Sequence, residues 1–285
     1  MINTSTTIAL IGCILGLALF SCQAPPPDDK FIGIQLWSVR EAMNDDPDGT
    51  LKALGEMGYR FIEAAGYSDG KFYGMEPATF RQLVEDNGMI FLSSHTGLDL
   101  PAQDEWDEAM SWWDQCIKAH AAAGVRFIVQ PWMGNAGYES LEGLKAFCDY
   151  FNAVGNKCNE QGIRFGYHNH DNEFTVLEGV RIYDFMLENT LPEKVMFQID
   201  LYWVYAGQAD PVDYFYKHPG RFELWHVKDE TEVGASGMID FERIYEHSDM
   251  AGLQYSIIEV EQYNYEPLES VRISLEYMLD ADYVP

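Results

Sequence analysis

From Phe31 onward, short runs of β-branched and aromatic residues alternate with longer stretches whose apolar positions recur every three or four residues. The short runs predict strands over 32–37, 61–65, 90–94, 127–130, 163–168, 195–200, 222–226 and 255–260. The stretches between and after them predict helices over 50–57, 77–87, 105–123, 140–161, 180–188, 211–217, 240–247 and 266–279. Gly58, Gly88, Gly124 and Gly162 each close a helix and lead straight into the next strand, the left-handed stop that feeds a tight connection. Strands that alternate with helices at this spacing must pair in parallel through crossovers. Eight such units without a domain-sized linker predict an α/β protein, one (β/α)8 TIM barrel over 31–285, rather than an open sheet.

The predicted strands finish on polar residues. Glu63 ends the second, His95 follows the third, and Gln130 ends the fourth. His168, Asn169 and His170 close the fifth, Asp200 the sixth, His226 the seventh and Glu259 the eighth. In a parallel barrel these C-terminal ends converge on one mouth, so residues scattered in sequence become one polar cluster. Carboxylates and imidazoles meeting at a point suit a divalent cation. Asp200, His226 and Glu259 are the first-choice ligands, with His168 as a fourth. A mixed nitrogen and oxygen set fits Mn, Co, Zn, Ni or Fe, because Ca and Mg prefer all-oxygen shells. Taken alone, an Asp after a strand often caps a helix and a His often only packs; their joint occurrence at equivalent points carries the argument.

Composition narrows the partners. Among 285 residues, 46 are acidic and 18 basic, a formal net charge of −28. That field repels phosphate-rich partners and argues against nucleic acid. Self-association into a homo-oligomer stays open. The apolar run 8–20 is too short for a comfortable membrane span and reads as the core of a signal peptide. Leu19-Phe20-Ser21-Cys22 resembles a bacterial lipobox, which makes Cys22 the lipidated first residue of the mature chain. The expected layout is a leader over 1–21, a Pro-rich tether over 22–30, then the barrel. Such a protein is exported and held at the periplasmic side or the outer membrane through its lipid alone. Cys116, Cys148 and Cys158 have no C-x-x-C spacing and read as buried apolar residues, a Cys148–Cys158 bridge depending on geometry.

Several segments together resemble the xylose isomerase-like barrel superfamily, in its sugar phosphate isomerase/epimerase branch. They are Ile32-Gly33-Ile34-Gln35-Leu36-Trp37, Gly58-Tyr59-Arg60-Phe61-Ile62-Glu63, Ser94-His95-Thr96-Gly97, Tyr167-His168-Asn169-His170-Asp171, Gln198-Ile199-Asp200, Trp225-His226-Val227-Lys228-Asp229 and Ile257-Ile258-Glu259. In ketose epimerases of this superfamily the usual metal shell is Glu, Asp, His, Glu from strands five to eight. Asp200, His226 and Glu259 match the last three, and the fifth-strand Glu falls on His168. A second His, three residues after that Asp, falls on Trp203, which reads as a stacking platform or as packing.

The resemblance implies a metal-dependent isomerase or epimerase that takes a proton from a carbon next to a carbonyl. His168 or Glu259 would be the base, and Lys228 would neutralise an oxyanion. Gln35, Glu63, His95, His170, Trp132 and Trp203 would bind the substrate, with Trp37 and Tyr167 as further aromatic walls. Expulsion of a β-leaving group from the same intermediate would instead make the protein a 3-keto-glycoside lyase or hydrolase. A non-catalytic carbohydrate-binding lipoprotein is the remaining alternative. The loops after strands seven and eight, Asp229-Glu230-Thr231-Glu232 and Glu261-Gln262-Tyr263-Asn264-Tyr265, are acidic and aromatic and do not suit a phosphate, so the expected sugar is neutral.

Overall fold

A computed structural model describes residues 30–285; the expected leader, Cys22 and all of the tether except Lys30 lie outside the described residues. Eight strands are β1 Ile32–Gln35, β2 Phe61–Ala64, β3 Ile90–His95, β4 Phe127–Gln130, β5 Arg164–His168, β6 Val195–Asp200, β7 Leu224–Val227 and β8 Tyr255–Ile258. All their pairings are parallel, and they close in the order β1-β8-β7-β6-β5-β4-β3-β2. Helices such as Pro77–Asp86, Trp106–Ala122, Leu141–Glu160 and Pro267–Asp280 form the outer ring. No helix among the described residues is long and apolar enough to cross a membrane.

The barrel interior has two floors. Phe61, Leu92, Phe127, Val129, Met196, Leu224 and Ile257 form a separate apolar plug in the lower half. Because side chains alternate along a strand, the residue two further on points into the same lumen one layer higher. Glu63 stands above Phe61, Gln198 above Met196, His226 above Leu224 and Glu259 above Ile257. The polar floor is therefore supported by a rigid apolar one. Gly33 is required here: a Cβ on it would lie 2.1 Å from the Phe61 ring. The larger core lies between strands and helices and runs around the whole barrel.

Strand and helix boundaries differ from expectation for identifiable reasons. β1 stops at Gln35 because the Gln35 side chain accepts from the Trp37 backbone N–H at 3.0 Å and starts a short 3-10 turn, Leu36–Val39. Val180 was expected to open a helix, but it pairs with Leu177 in a small hairpin. Glu178 and Gly179, both at positive φ, make the two-residue turn. A second hairpin, Tyr67–Ser68 with Lys71–Phe72, was not expected. Cys116, Cys148 and Cys158 are buried and unbridged.

That hairpin covers a buried imidazole. The His120 ring lies 4.7 Å from the Tyr67 ring and 4.9 Å from the Phe72 ring. Its Nδ1–H donates to the Cys116 carbonyl at 2.7 Å, and Nε2 has no partner. Burial pushes its pKa down to about 4. Below pH ~6.5 the unfolded chain therefore binds a proton that the folded chain refuses, so stability falls as pH drops from ~6.5 towards 4. The expected cost at pH 4.5 relative to pH 7 is on the order of 2–3 kcal/mol from this residue. Urea melts at both pH values should show His120→Phe losing that much less than the wild type. An identical pH dependence in the two proteins would contradict the assignment.

Candidate active site

Four side chains from four consecutive strands meet above the apolar plug. The ligand-capable atoms of His168, Asp200, His226 and Glu259 all lie within 4.8 Å of one another, and all four residues are buried. Asp200 ends β6, where its Oδ1 accepts from the Trp203 backbone N–H at 2.8 Å and caps the helix Leu201–Ala206. Its Oδ2 is buried and has no hydrogen-bond partner, and neither has Nδ1 of His168. An unpartnered buried carboxylate oxygen beside an unpartnered imidazole nitrogen is costly unless something else joins them. Two imidazole nitrogens and two carboxylates within reach of one another suit the transition ions named above.

Beneath this cluster sits Glu63, fully buried. Its Oε1 accepts from Gln35 Nε2 at 2.8 Å and His226 Nε2 at 2.6 Å, with His95 Nε2 at 3.0 Å. Its Oε2 accepts from Gln198 Nε2 at 2.8 Å and from the Ser93 hydroxyl. Burial opposes the charge, but the imidazoles of His95 and His226 outweigh it and hold the carboxyl well below its usual range. A carboxylate here fixes the proton of His226 on Nε2. That leaves Nδ1 facing Glu259 at 3.3 Å and Asp200 at 3.9 Å, aimed into the cluster. A carboxylate behind a ligating imidazole orients the ring and raises its basicity.

The electrostatics follow from this geometry. Burial alone would depress His226, but Glu259 and Glu63 raise it to about 10. Glu259 is held low by His226 and Lys228 against the effect of burial. Burial pushes Asp200 up, with the Lys228 charge only partly offsetting it. Burial and the neighbouring imidazoles push His168 down, so it is neutral and its lone pair is available. Lys228 is itself buried, with Nζ 2.7 Å from Glu261 and 4.0 Å from Glu259, close to the faces of Tyr202 and Trp203.

Above the cluster opens a cavity of about 390 Å³, within the size range of small-molecule sites. His168 and Glu259 form its floor, His95 and His170 its sides, and Trp37 and Trp132 its rim. The two tryptophans are 45% and 41% exposed, so their ring faces are open to a molecule in the cavity. Of the residues expected to bind substrate, His95, His170 and Trp132 therefore line the cavity. Gln35 and Glu63 do not: both are fully buried below it and touch other side chains. Trp203 and Lys228 lie behind the lining, Trp203 against the His170 ring at 5.5 Å with its indole N–H buried and unpartnered. Tyr167 is wholly internal and contributes no wall.

Sequence reasoning did not single out three supporting residues. Asn169 accepts from the Asp200 backbone N–H at 3.1 Å and ties the ends of β5 and β6 together. Gln198 holds both His95, at 2.6 Å, and Glu63. Glu173 is buried and accepts from Tyr138 at 2.5 Å, Tyr167 at 2.6 Å and the His170 backbone at 2.8 Å, fixing the loop that carries His170. Polar residues just beyond a strand end, Asn169 one position and Glu173 five positions after His168, were the available signal.

The closed parallel barrel thus carries an imidazole–carboxylate cluster at its mouth. The chain belongs to the xylose isomerase-like TIM barrel family, whose model matches residues 51–281. It is similar to the crystal structure of a sugar phosphate isomerase/epimerase from Parabacteroides distasonis ATCC 8503, with 31% identity, a TM-score of 0.84, and coverage of 90% of this chain and 100% of that one. It matches the inosose dehydratase of Salmonella agona (strain SL483) at 27% identity over 150 residues, 43% of this chain and 48% of that protein. The chain thus spans about half the length of the curated relative it matches. The fold is shared with an L-ribulose 3-epimerase, at 13% identity, a TM-score of 0.69, and coverage of 87% of this chain and 92% of that one.

Proposed function

We propose that this protein is a metal-dependent enzyme of the isomerase/epimerase type that removes a proton next to the carbonyl of a neutral sugar or glycoside. The observation that carries this reading is the convergence of His168, Asp200, His226 and Glu259 beneath an imidazole-lined cavity, with His168 Nδ1 and Asp200 Oδ2 buried and unpartnered. A divalent cation bound there supplies Lewis-acid polarisation of a carbonyl and its neighbouring hydroxyl. His168, Asp200, His226 and Glu259 would hold it, and Glu63 would fix the His226 ring through Nε2. Glu259 is the base, because it is kept as a carboxylate and lines the cavity. His95 and His170 face the same space and donate to, or accept from, the sugar hydroxyls. Lys228, behind Glu259 and Glu261, stabilises negative charge on the oxygens at the cavity floor.

A second reading is supported by one observation. Glu259 and Glu261 are the carboxylates that line the cavity, but Glu261 is paired with Lys228 at 2.7 Å, which leaves Glu259 with the imidazoles of His95, His168 and His170. One carboxylate base with an imidazole acid suits removal of a proton followed by loss of a β-leaving group. Proton removal and return from opposite faces of the sugar would be better served by two carboxylates. The name of the Salmonella relative, a dehydratase, is consistent with elimination.

Lipidation at Cys22 and an exported location belong to the same proposal. Lys30, at the start of β1, lies on the barrel face opposite the cavity, where its Nζ donates to Ala281 O at 2.6 Å. A lipid tether at that point would leave the mouth facing away from the membrane.

The test is proton NMR in D2O with free ketoses and with 3-keto-glycosides. Deuterium uptake next to the carbonyl, with or without release of the aglycone, is the expected result. No exchange and no cleavage of either class, with Mn or Co supplied, would overturn the proposal.

A stability measurement tests the cation separately. If Kd for Mn or Co is 100-fold below the added concentration, melting free energy should rise by about 2.7 kcal/mol. Asp200→Ala should abolish that gain.

A further inference from the structure

A carboxylate that the proposed reaction does not use stands in the wall of the active cavity. Glu261, in the loop after β8, lines the cavity with its side chain 28% exposed, and its Oε2 lies 2.7 Å from the buried ammonium of Lys228. Both partners are held in place. Just before Glu261, the Val260 backbone N–H donates to the Ser38 hydroxyl at 3.0 Å. Two residues after it, the Tyr263 hydroxyl donates to the Ser38 carbonyl at 3.0 Å. The Lys228 ammonium lies 5.8 Å and 5.7 Å from the ring centres of Tyr202 and Trp203. The next residue, Asp229, accepts from the backbone N–H groups of Glu230, Gly234 and Ser236 at 2.7, 3.1 and 3.3 Å, which fixes the turn that follows.

We infer that Glu261 is the specificity-determining residue of this site: by neutralising Lys228 it makes the cavity reject sugars that carry a phosphate or a carboxylate and accept uncharged ones. The inference rests on the proposed function and deepens it, naming the residue that enforces its substrate class. Among the described residues, no lysine or arginine lines the cavity. Lys228, 4.0 Å from Glu259, is the cation beside its floor. Arg40 stands behind Trp37, with Nη1 donating to the Trp37 carbonyl at 3.1 Å and to the Tyr263 hydroxyl at 2.8 Å. A divalent ion on the four-residue cluster would face Asp200 and Glu259, with Glu63 behind His226. Those three carboxylates already balance a divalent ion together with Lys228. Glu261 adds one more, so at pH 8, where ordinary imidazoles are uncharged, the site carries an excess negative charge. An uncharged sugar meets no penalty there. A phosphate or carboxylate brings further negative charge into a site partly shielded from water, where repulsion is stronger than in bulk.

Negative charge that develops during the reaction is placed differently. It forms on oxygens at the floor, beside Lys228, whereas an anionic group carried elsewhere on the ring reaches the wall, where Glu261 stands. Glu261→Gln keeps the length of the side chain and an oxygen that accepts from the Lys228 ammonium, so the lysine keeps its place. It removes only the neutralising charge, which leaves Lys228 free to attract an anion bound against that wall.

Calorimetric titration of the metal-loaded mature chain at pH 8 with two probes, D-fructose and D-fructose 6-phosphate, tests this. The wild type should bind the uncharged sugar more tightly. Glu261→Gln should shift the affinity ratio at least tenfold towards the phosphate ester. Glu261→Gln combined with Lys228→Met should lose that shift, because the gain passes through the lysine. No shift in Glu261→Gln, or a shift that survives in the double variant, overturns the inference and leaves the neutral-sugar reading standing. A wild type that prefers the phosphate ester overturns the neutral-sugar reading and the inference with it. Should the wild type bind neither probe, fructose is not its sugar, and the appearance or absence of phosphate-ester binding in Glu261→Gln decides the inference.

Discussion

Replacing Glu259 by Gln should slow turnover by about 10³-fold or more while leaving the fold intact, since loss of a general base alone costs 10²–10⁴. The side chain is nearly isosteric and can still offer an oxygen to a cation, but it cannot accept a proton. Its neighbours explain why the effect should exceed that of a surface residue. His226 at 3.3 Å and Lys228 at 4.0 Å are both arranged around a negative charge at this position. With the charge gone, Lys228 keeps Glu261, and His226 keeps Glu63, so both cations stay partnered and the protein should stay folded. The expected signature is a fall in kcat with little change in KM, together with loss of deuterium uptake into substrate. A Glu259→Gln enzyme with undiminished exchange would remove Glu259 from the base role.

Glu63 should show the largest effect on stability. It accepts hydrogen bonds from Gln35, Ser93, Gln198 and His226 in the centre of the barrel, where no water reaches. Glu63→Leu would leave those donors unpaired and take from His226 one of its two buried carboxylate partners, Glu259 remaining at 3.3 Å. The expected loss is on the order of 3–5 kcal/mol, read as a shift in the urea midpoint. Glu63→Gln is the more informative change. It keeps the shape and one acceptor but loses the charge that holds the His226 proton on Nε2 and leaves Nδ1 free as a ligand. Cation affinity should fall by about 10–100-fold, the usual effect of losing such a supporting carboxylate. Unchanged affinity in Glu63→Gln would mean that His226 is not a ligand through Nδ1.

The barrel and the location of its polar cluster were legible in sequence because both depend on short-range signals. Each strand is a compact run of buried residues, and each helix carries its own periodicity and glycine stop. The polar residue at a strand's end is visible without knowing what it faces. What could not be read was depth. Gln35 and Glu63 end their strands in the same way as Glu259, yet like His226 they are covered by the residues that line the cavity. The depth depends on strand stagger around the closed barrel, which no single segment encodes. The hairpin turn at Glu178-Gly179 was hidden by the helical pattern that follows it. The contacts of Glu173 and Asn169 join residues on different strands or loops, so their roles appear only after closure.

The departure of His168 from the family pattern is now easier to interpret. The barrel keeps a ligand-capable atom at that point, but as a neutral imidazole instead of a second charged carboxylate. The cavity is consequently lined by three imidazoles and two carboxylates, of which Glu261 is paired with Lys228 and Glu259 is left as the base. This asymmetry is the main structural argument for elimination over epimerisation.

The central claim is that His168, Asp200, His226 and Glu259 hold one divalent cation. Calorimetric titration of the chelator-stripped mature chain with Mn or Co tests it most directly. The account predicts one cation per chain with a dissociation constant in the micromolar range or below, and no measurable binding to Asp200→Ala or His226→Ala chains that remain folded. No binding to the wild-type chain, or equal binding to the two variants, would contradict it.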